Sequence, residues 1–498
     1  MQPVSDPRRT LAACSLASSL VFLDGSVVNV ALPAIRADLG GGLASQQWVV
    51  EGFLLALAAL LLLGGSLGDL MGRRRVLIVG TLAFGATSLL CAVAPTIELL
   101  IAGRILQGIA GALLVPVSLA IITATFTEAE RGSAIGSWTA RTSMAMIAGP
   151  FVGGILVDQL SWRLIFAINV PLVVLTIWLA RGIASDPPRK DVQVDVLGGL
   201  LASLGLAGVV FALVEQAHLG WVDPLVNGSF IAGVVLLITF IFWESQAPAP
   251  MLPLGLFRNR NFAVINVVTL ALYAPLMTST FLLSVFLQQV AGYSAAVAGL
   301  ALLPTSVVVI TTARRFGGLA DRRGARRLVA EGTTVCALAF ALLSRLSAEA
   351  NYFTEVFPAV TLLGIGLAMA VSPLTAVVLA SVPESHAGTA SGVNNAASRV
   401  AGLLAIAALG TVATTVFQRH VDAAATRFGA DGQAALTRSR ERPLVTTVLG
   451  NAGPDRGAVG RVLTDASVDG YRTVMVTCAG LAALAAAIAA AGLTDRRP

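Results

Sequence analysis

Charge is what this chain has least of. Aspartate, glutamate, lysine and arginine make up 12% of its 498 residues, about half the share of an average soluble domain. Lys190 is the only lysine. That is too little charge to clothe a water-facing surface around a core of this size, which excludes a soluble enzyme. Histidine occurs only at 218, 386 and 420, which offers no set of metal ligands. Cys14, Cys91, Cys336 and Cys478 each lie inside an apolar run without metal-ligand spacing, and so read as buried thiols. No phosphate-binding loop of the GxxxxGK type occurs, so ATP is not the expected energy source and no cofactor is expected.

What fills the chain instead is apolar sequence, 56% of all residues. A helix crossing a bilayer needs roughly 17–25 mostly apolar residues. Fourteen runs meet that length: 12–33, 47–67, 76–95, 99–123, 137–158, 164–182, 196–215, 225–244, 262–287, 295–313, 328–346, 355–380, 396–416 and 473–493. The first follows Arg8 and Arg9 and continues to Pro33 without a small-residue cleavage site, so it reads as a span rather than a signal peptide. The expected class is an all-α membrane protein.

The net charge of +6 comes from arginines between the runs, where they face lipid headgroups rather than nucleic acid. Arg73, Arg74 and Arg75 follow span 2, and Arg181, Arg189 and Lys190 follow span 6. Arg258 and Arg260 follow span 8, and Arg322, Arg323, Arg326 and Arg327 follow span 10. Arg496 and Arg497 end the chain. The opposite short loops hold little beyond Arg36 and Arg163. Positive charge marks the inner face, so both termini are expected in the cytoplasm. Residues 417–471 form a long polar stretch expected outside, with a short helix near 418–428. Arg438, Arg440 and Arg442 are offset there by Asp422, Asp431, Glu441 and Asp455.

One segment occurs twice. Gly65, Gly68, Asp69, Gly72 and Arg73 to Arg75 leave span 2, and Gly317, Gly318, Asp321, Gly324, Arg326 and Arg327 leave span 10 on the same expected face. Gly132 and Gly136 find an echo in Gly388 and Gly392. Same-side repeats imply two bundles related by an axis along the membrane normal, an arrangement suited to alternating access. The expected division is a six-helix bundle over 1–190, two inserted helices over 191–250, and a second six-helix bundle over 251–498. An aspartate at a helix end beside glycines and arginines can hold one conformational state and release it in another.

These residues resemble the major facilitator superfamily, in particular its fourteen-span drug:proton antiporter branch of QacA/EmrB type. Gly65 to Arg75 resembles the loop 2–3 signature, and Asp24 to Pro33 the span 1 motif. Arg104 to Gly111 resembles the span 4 motif, and Gly149, Pro150, Gly153 and Gly154 the span 5 antiporter motif. Trp162, Arg163, Phe166 and Ile168 to Pro171 resemble the lead into span 6, and Gly388 to Asn395 the stretch before span 13. The resemblance implies a monomeric exporter in a bacterial cytoplasmic membrane. It would move amphipathic drugs or antibiotics against protons. A transporter dedicated to one endogenous lipid, peptide or metabolite, and a receptor or scaffold, are the alternative readings.

Three residues are candidates for proton coupling. Asp24 lies near the middle of span 1, where an ionised carboxylate must face the bundle interior or a cavity; it either cycles a proton or bonds an asparagine such as Asn29. The resemblance gives Arg104 a part in proton transfer, acting as a fixed charge because arginine stays protonated. Glu51, early in span 2, either pairs with Arg104 or lies at a cavity mouth. Ala145, Gly149 and Gly153 recur every fourth residue, which makes one smooth face for close packing, and Pro150 can bend that helix. Arg141, one turn into span 5, either snorkels to the surface or meets an acidic substrate. Spans 9, 10, 12 and 13 carry no central carboxylate and Arg399 opens span 13, which argues against strongly cationic substrates. Tyr273, Phe281, Phe286, Gln288, Gln289, Asn394 and Asn395 are candidates for lining a substrate cavity.

Overall fold

The computed structural model describes residues 6–184, 195–248, 250–382, 387–440, 443–444 and 455–494. Among these residues every long element is helical. In chain order they are α1 (Pro7–Leu39), α2 (Leu43–Met71), α3 (Arg73–Ala92), α4 (Ile97–Thr125), α5 (Glu128–Gln159), α6 (Leu164–Ala167), α7 (Asn169–Ala180), α8 (Val196–Leu219) and α9 (Pro224–Glu244). Then follow α10 (Arg260–Gln289), α11 (Ala295–Ala301), α12 (Leu303–Arg323), α13 (Ala325–Leu343), α14 (Phe357–Ala380), α15 (Ala387–Ala425), α16 (Ala430–Ser439) and α17 (Arg456–Gly492).

The helices start where local chemistry caps them. Asp6 accepts a hydrogen bond from the Arg8 amide at 3.0 Å, and Pro7 is the first residue of α1. Thr96 accepts from the Leu99 amide at 3.3 Å ahead of α4, and Asn259 from the Phe262 amide at 3.2 Å ahead of α10. The two copies of the repeated segment end alike. Gly72 (φ 93°) precedes α3 and Gly324 (φ 88°) precedes α13. Both take a backbone conformation open almost solely to glycine, so the repeat seen in sequence is also a repeated turn.

Among the described residues, twelve helices are long and apolar enough to cross a membrane. That is two fewer than the fourteen runs counted in the sequence. The run expected over 164–182 is interrupted at Ile168 and leaves a shorter apolar helix, Leu164–Ala180. The run expected over 328–346 becomes α13, which begins three residues earlier and so takes in Arg326 and Arg327, with Glu331 a turn later. Two late helices also overrun their expected ends. α15 starts at Ala387 and continues to Ala425, and α17 starts at Arg456. Arg399 therefore stands well inside α15 rather than at its start. The extensions of α15 and α17, together with α16, build a small apolar core from Phe417, Val421, Ala435, Leu436, Val459, Leu463 and Ala466.

The chain divides into two compact units. The first holds residues 1–40, 48–208 and 231–251, and the second holds 41–47, 209–230 and 252–498. In the first, α1 packs along α5, α4 and α7, and α3 packs on α4 and α7. In the second, α10 packs on α15 and α17, and α13 on α14 and α17.

Candidate functional site

One fully buried acidic residue of the first unit lies on α1. Asp24 is fully buried, among Leu20, Val27, Val28 and Ala31 of the same helix. The approach of α5 depends on its glycines. A Cβ on Gly149 would overlap the Ser26 hydroxyl oxygen, and one on Gly153 would overlap the Val27 side chain. Helices can lie this close in lipid only where small residues meet. Overpacking of a tight interface costs typically about 1–3 kcal/mol. Gly149→Val is therefore expected to lower the thermal unfolding temperature clearly, while Gly136→Ala, at a position of the same helix where a Cβ meets nothing within 4 Å, should not lower it.

From α4, Arg104 reaches the Asp24 carboxylate and forms an ion pair in which both side chains are fully buried. The same guanidinium donates through Nη1 to Gln107 Oε1 at 2.7 Å and through Nε to the Val49 carbonyl of α2 at 3.0 Å. It also lies over the rings of Phe53, at 4.3 Å, and Phe166, at 5.6 Å. This close approach of α2 and α4 again needs a glycine, because a Cβ on Gly108 would overlap the Phe53 carbonyl oxygen.

Three neutral groups complete the network. Gln107 donates to Asp24 Oδ1 at 2.9 Å and to the Ser88 hydroxyl of α3 at 2.8 Å. Asn169, at the start of α7, donates to Asp24 Oδ1 at 3.0 Å and to Ser88 at 3.1 Å. Asp24 thus accepts from three donors on two other helices, and the asparagine that reaches it is Asn169. A buried pair is not by itself stabilising, but it is firmly committed, because removing one partner leaves an uncompensated charge.

Glu51 stands apart from this network. It is fully buried on α2, and among the described residues neither carboxyl oxygen has a hydrogen-bond partner. The reason is helical phase. Val49 and Phe53, which touch Arg104, share one face of α2 at a spacing of four, and Glu51 lies midway between them on the opposite face. The expected alternative of a Glu51–Arg104 pair is therefore corrected, since Arg104 pairs with Asp24.

The remaining candidates are distributed as follows. Arg73 donates to the Ala120 carbonyl at 3.0 Å and Arg74 to the Arg181 carbonyl at 3.0 Å, so both tie the start of α3 to neighbouring helix ends. The side chains of Asp69 and Asp321 lie outside the described residues. A Cβ on Gly65 would meet Pro116 at ordinary contact distance, and one on Gly317 would lie 3.0 Å from the Ser372 hydroxyl. Gly154 is buried and Pro150 half-buried within α5. Arg141 is exposed on α5.

In the second unit Phe281 and Phe286 are buried in the packing, with Phe286 stacked on Tyr471 at 4.2 Å between ring centroids. Asn394 is committed to Asn266 and Thr269, at 3.1 and 2.7 Å, in a neutral link between α15 and α10. Asn395 is exposed and Tyr273, Gln288 and Gln289 are half-buried, with Gln288 donating to the Ser284 carbonyl at 3.3 Å. Sequence reasoning passed over Gln107, Ser88 and Asn169. Gln107 carried a signal, standing one turn beyond Arg104, and Asn169 stood within the quoted lead into span 6.

A model of the Major Facilitator Superfamily matches residues 14–406. The chain belongs to that superfamily. As a superfamily member it is a multi-pass membrane transporter rather than an enzyme. It is 36% identical over 420 residues to the puromycin resistance protein pur8 of Streptomyces alboniger, covering 82% of each chain. It is 30% identical over 491 residues to the tetracenomycin C resistance and export protein of Streptomyces glaucescens, covering 97% of this chain and 91% of the relative. Its fold matches the crystal structure of a bacterial homologue of the human lysosomal transporter Spinster, with a TM-score of 0.69 at 17% identity over 98% of this chain and 96% of that one.

Proposed function

We propose that this transporter exports amphipathic antibiotics or related drugs across the bacterial cytoplasmic membrane in exchange for protons, by alternating access and as a monomer. The observation that carries the proton half of this reading is the contrast between two buried carboxyls. Asp24 is fully compensated by Arg104, Gln107 and Asn169. Glu51 is as deeply buried with no partner among the described residues. An ionised carboxylate left like that in a membrane is costly, so Glu51 is suited to carry a proton and to release it only when the transport cycle admits water or a cation. Arg104 then acts as the fixed charge that holds Asp24 and organises α1, α3, α4 and α7 around it. The names of the relatives support the drug half, since one is a puromycin resistance protein and the other a tetracenomycin C resistance and export protein.

The same reading takes the chain as a fourteen-span member of the QacA/EmrB type, with both termini in the cytoplasm. Leu164–Ala180 and α13 supply the two crossings beyond the twelve long apolar helices. Residues 191–250 form the inserted pair between bundles over 1–190 and 251–498, and the paired Gly65–Arg75 and Gly317–Arg327 segments act as gates. Tyr273, Gln288 and Gln289, all half-buried, and exposed Asn395 are the residues proposed to line the substrate cavity.

The test is uptake into inside-out proteoliposomes with puromycin as the first probe and a set of unrelated amphipathic drugs as competitors. Export coupled to protons requires accumulation that follows an imposed pH gradient and collapses when a protonophore dissipates it. Broad competition supports a drug exporter, whereas inhibition by one compound class alone indicates a dedicated transporter. Uptake indifferent to the gradient contradicts proton coupling.

A further inference from the structure

The end of the first unit where α1 begins and α7 ends carries arginines that the Asp24–Arg104 network does not use. Arg9 of α1 donates through Nη2 to the Trp178 carbonyl at 2.8 Å, and Arg74 of α3 donates through Nη2 to the Arg181 carbonyl at 3.0 Å. Both therefore converge on the C-terminal end of α7, where the last carbonyls and the helix dipole attract cations. Main-chain carbonyls fix these guanidinium groups without neutralising them. Each has one of its five donors engaged among the described residues, and the Nε of each is buried without a partner, which leaves the terminal nitrogens to meet a ligand. No described carboxylate pairs with either one. Arg8, Arg75 and Arg181 add exposed positive charge around them, while the nearby Asp6 is turned to the Arg8 amide.

The surroundings say what kind of anion this cluster suits. The Trp178 ring lies 4.8 Å from the Arg9 guanidinium carbon and is 56% exposed, as an aromatic residue at a membrane–water boundary would be. Towards the membrane from this rim, α3 and α7, which pack together, expose Val79 and Leu82 on one helix and Val174 and Leu175 on the other. Fixed arginines with an aromatic at the rim and an apolar wall behind match a phosphate group attached to acyl chains. Basic sites between helices on the cytoplasmic side are suited to such headgroups.

We infer that the ends of α1, α3 and α7 form a binding site for an anionic phospholipid, with Arg9 and Arg74 on the phosphodiester, Trp178 at the headgroup boundary and the α3–α7 wall against an acyl chain. Free phosphate shares the headgroup chemistry but has no use for the apolar wall, which is why the lipid is the assigned occupant. Gly182 makes room for the arrangement, because a Cβ there would lie 3.0 Å from Arg9 Nε.

The full-length protein, stripped of lipid in detergent, would be titrated separately with phosphatidylglycerol, phosphatidylcholine and inorganic phosphate, with bound lipid counted by native mass spectrometry and stability read by thermal unfolding. Phosphatidylglycerol should bind and stabilise, phosphatidylcholine should bind more weakly, and inorganic phosphate should have no effect. Arg9→Gln should weaken phosphatidylglycerol roughly fivefold, the effect expected of one arginine near an anionic surface, and leave phosphatidylcholine unchanged. Arg181→Gln, which removes an exposed charge without touching the packing, should act in the same direction and decides the matter if Arg9→Gln does not fold. Arg258→Gln, elsewhere in the chain, should change neither lipid. Equal binding of the two lipids, phosphatidylglycerol binding unaltered in Arg181→Gln, or stabilisation by inorganic phosphate equal to that by the lipid would each overturn the assignment.

Discussion

Arg104→Leu is expected to destabilise the protein by about 3–5 kcal/mol, the usual cost of leaving one member of a buried ion pair behind. The leucine would fill part of the space but would strand the Asp24 carboxylate with only Gln107 and Asn169 as donors. Asp24→Asn should cost less. The arginine would keep Gln107 Oε1, the Val49 carbonyl and the faces of Phe53 and Phe166. The double variant, with neither charge buried, should recover much of what Arg104→Leu loses, because a buried pair replaced as a whole is often close to neutral. Denaturant unfolding of the four proteins in one detergent measures this cycle. A double variant as unstable as the sum of the singles would mean that the two residues act independently and that the network described above does not hold the unit together.

Glu51→Gln should behave in the opposite way, sparing the fold and disabling the coupling. The substitution nearly conserves shape and removes no hydrogen bond, since Glu51 makes none among the described residues. Its effect on stability should stay within about 1 kcal/mol. Transport is another matter. If Glu51 carries the proton, a glutamine cannot release one, and accumulation driven by a pH gradient should fall to the gradient-free level. Exchange of labelled for unlabelled substrate needs no net proton movement and should continue. Loss of both activities with an intact fold would indicate a binding role for Glu51, and retention of both would remove it from the mechanism.

Much of this was legible in the sequence. Hydrophobic length located the helices, because lipid demands a nearly continuous apolar surface. The repeated segment was readable because a positive φ ahead of α3 and of α13 leaves glycine as the only comfortable residue at 72 and 324. Asp24, Glu51 and Arg104 could be singled out because ionisable residues inside spans are rare.

Their partners could not be read. Asp24 and Arg104 lie 80 residues apart, and nothing local says that Arg104 turns to Asp24 rather than to Glu51; helix packing and the phase of Val49 and Phe53 decide it. Ser88 and Asn169 are uncharged, so each looks unremarkable alone and acquires meaning only when α7 brings Asn169 to the Asp24 carboxylate and α3 brings Ser88 to accept from Asn169 and Gln107. Phe281 and Phe286 looked like cavity residues by type, but type does not say which way a helix face turns, and both point into packing. The small core around Phe417, Leu436 and Leu463 was hidden inside a stretch whose overall composition is polar.

In the proposed division of labour Glu51 moves the proton and Arg104 holds Asp24 in place. Substrate-driven proton movement tests it most directly, with a pH-sensitive dye trapped in proteoliposomes and an outward substrate gradient imposed at equal pH on both sides. The wild type should show a pH change, Glu51→Gln none despite continued substrate exchange, and a folded Asp24→Asn/Arg104→Leu protein that still transports a persisting one. A pH change that survives in Glu51→Gln and disappears when Asp24 is neutralised would contradict it.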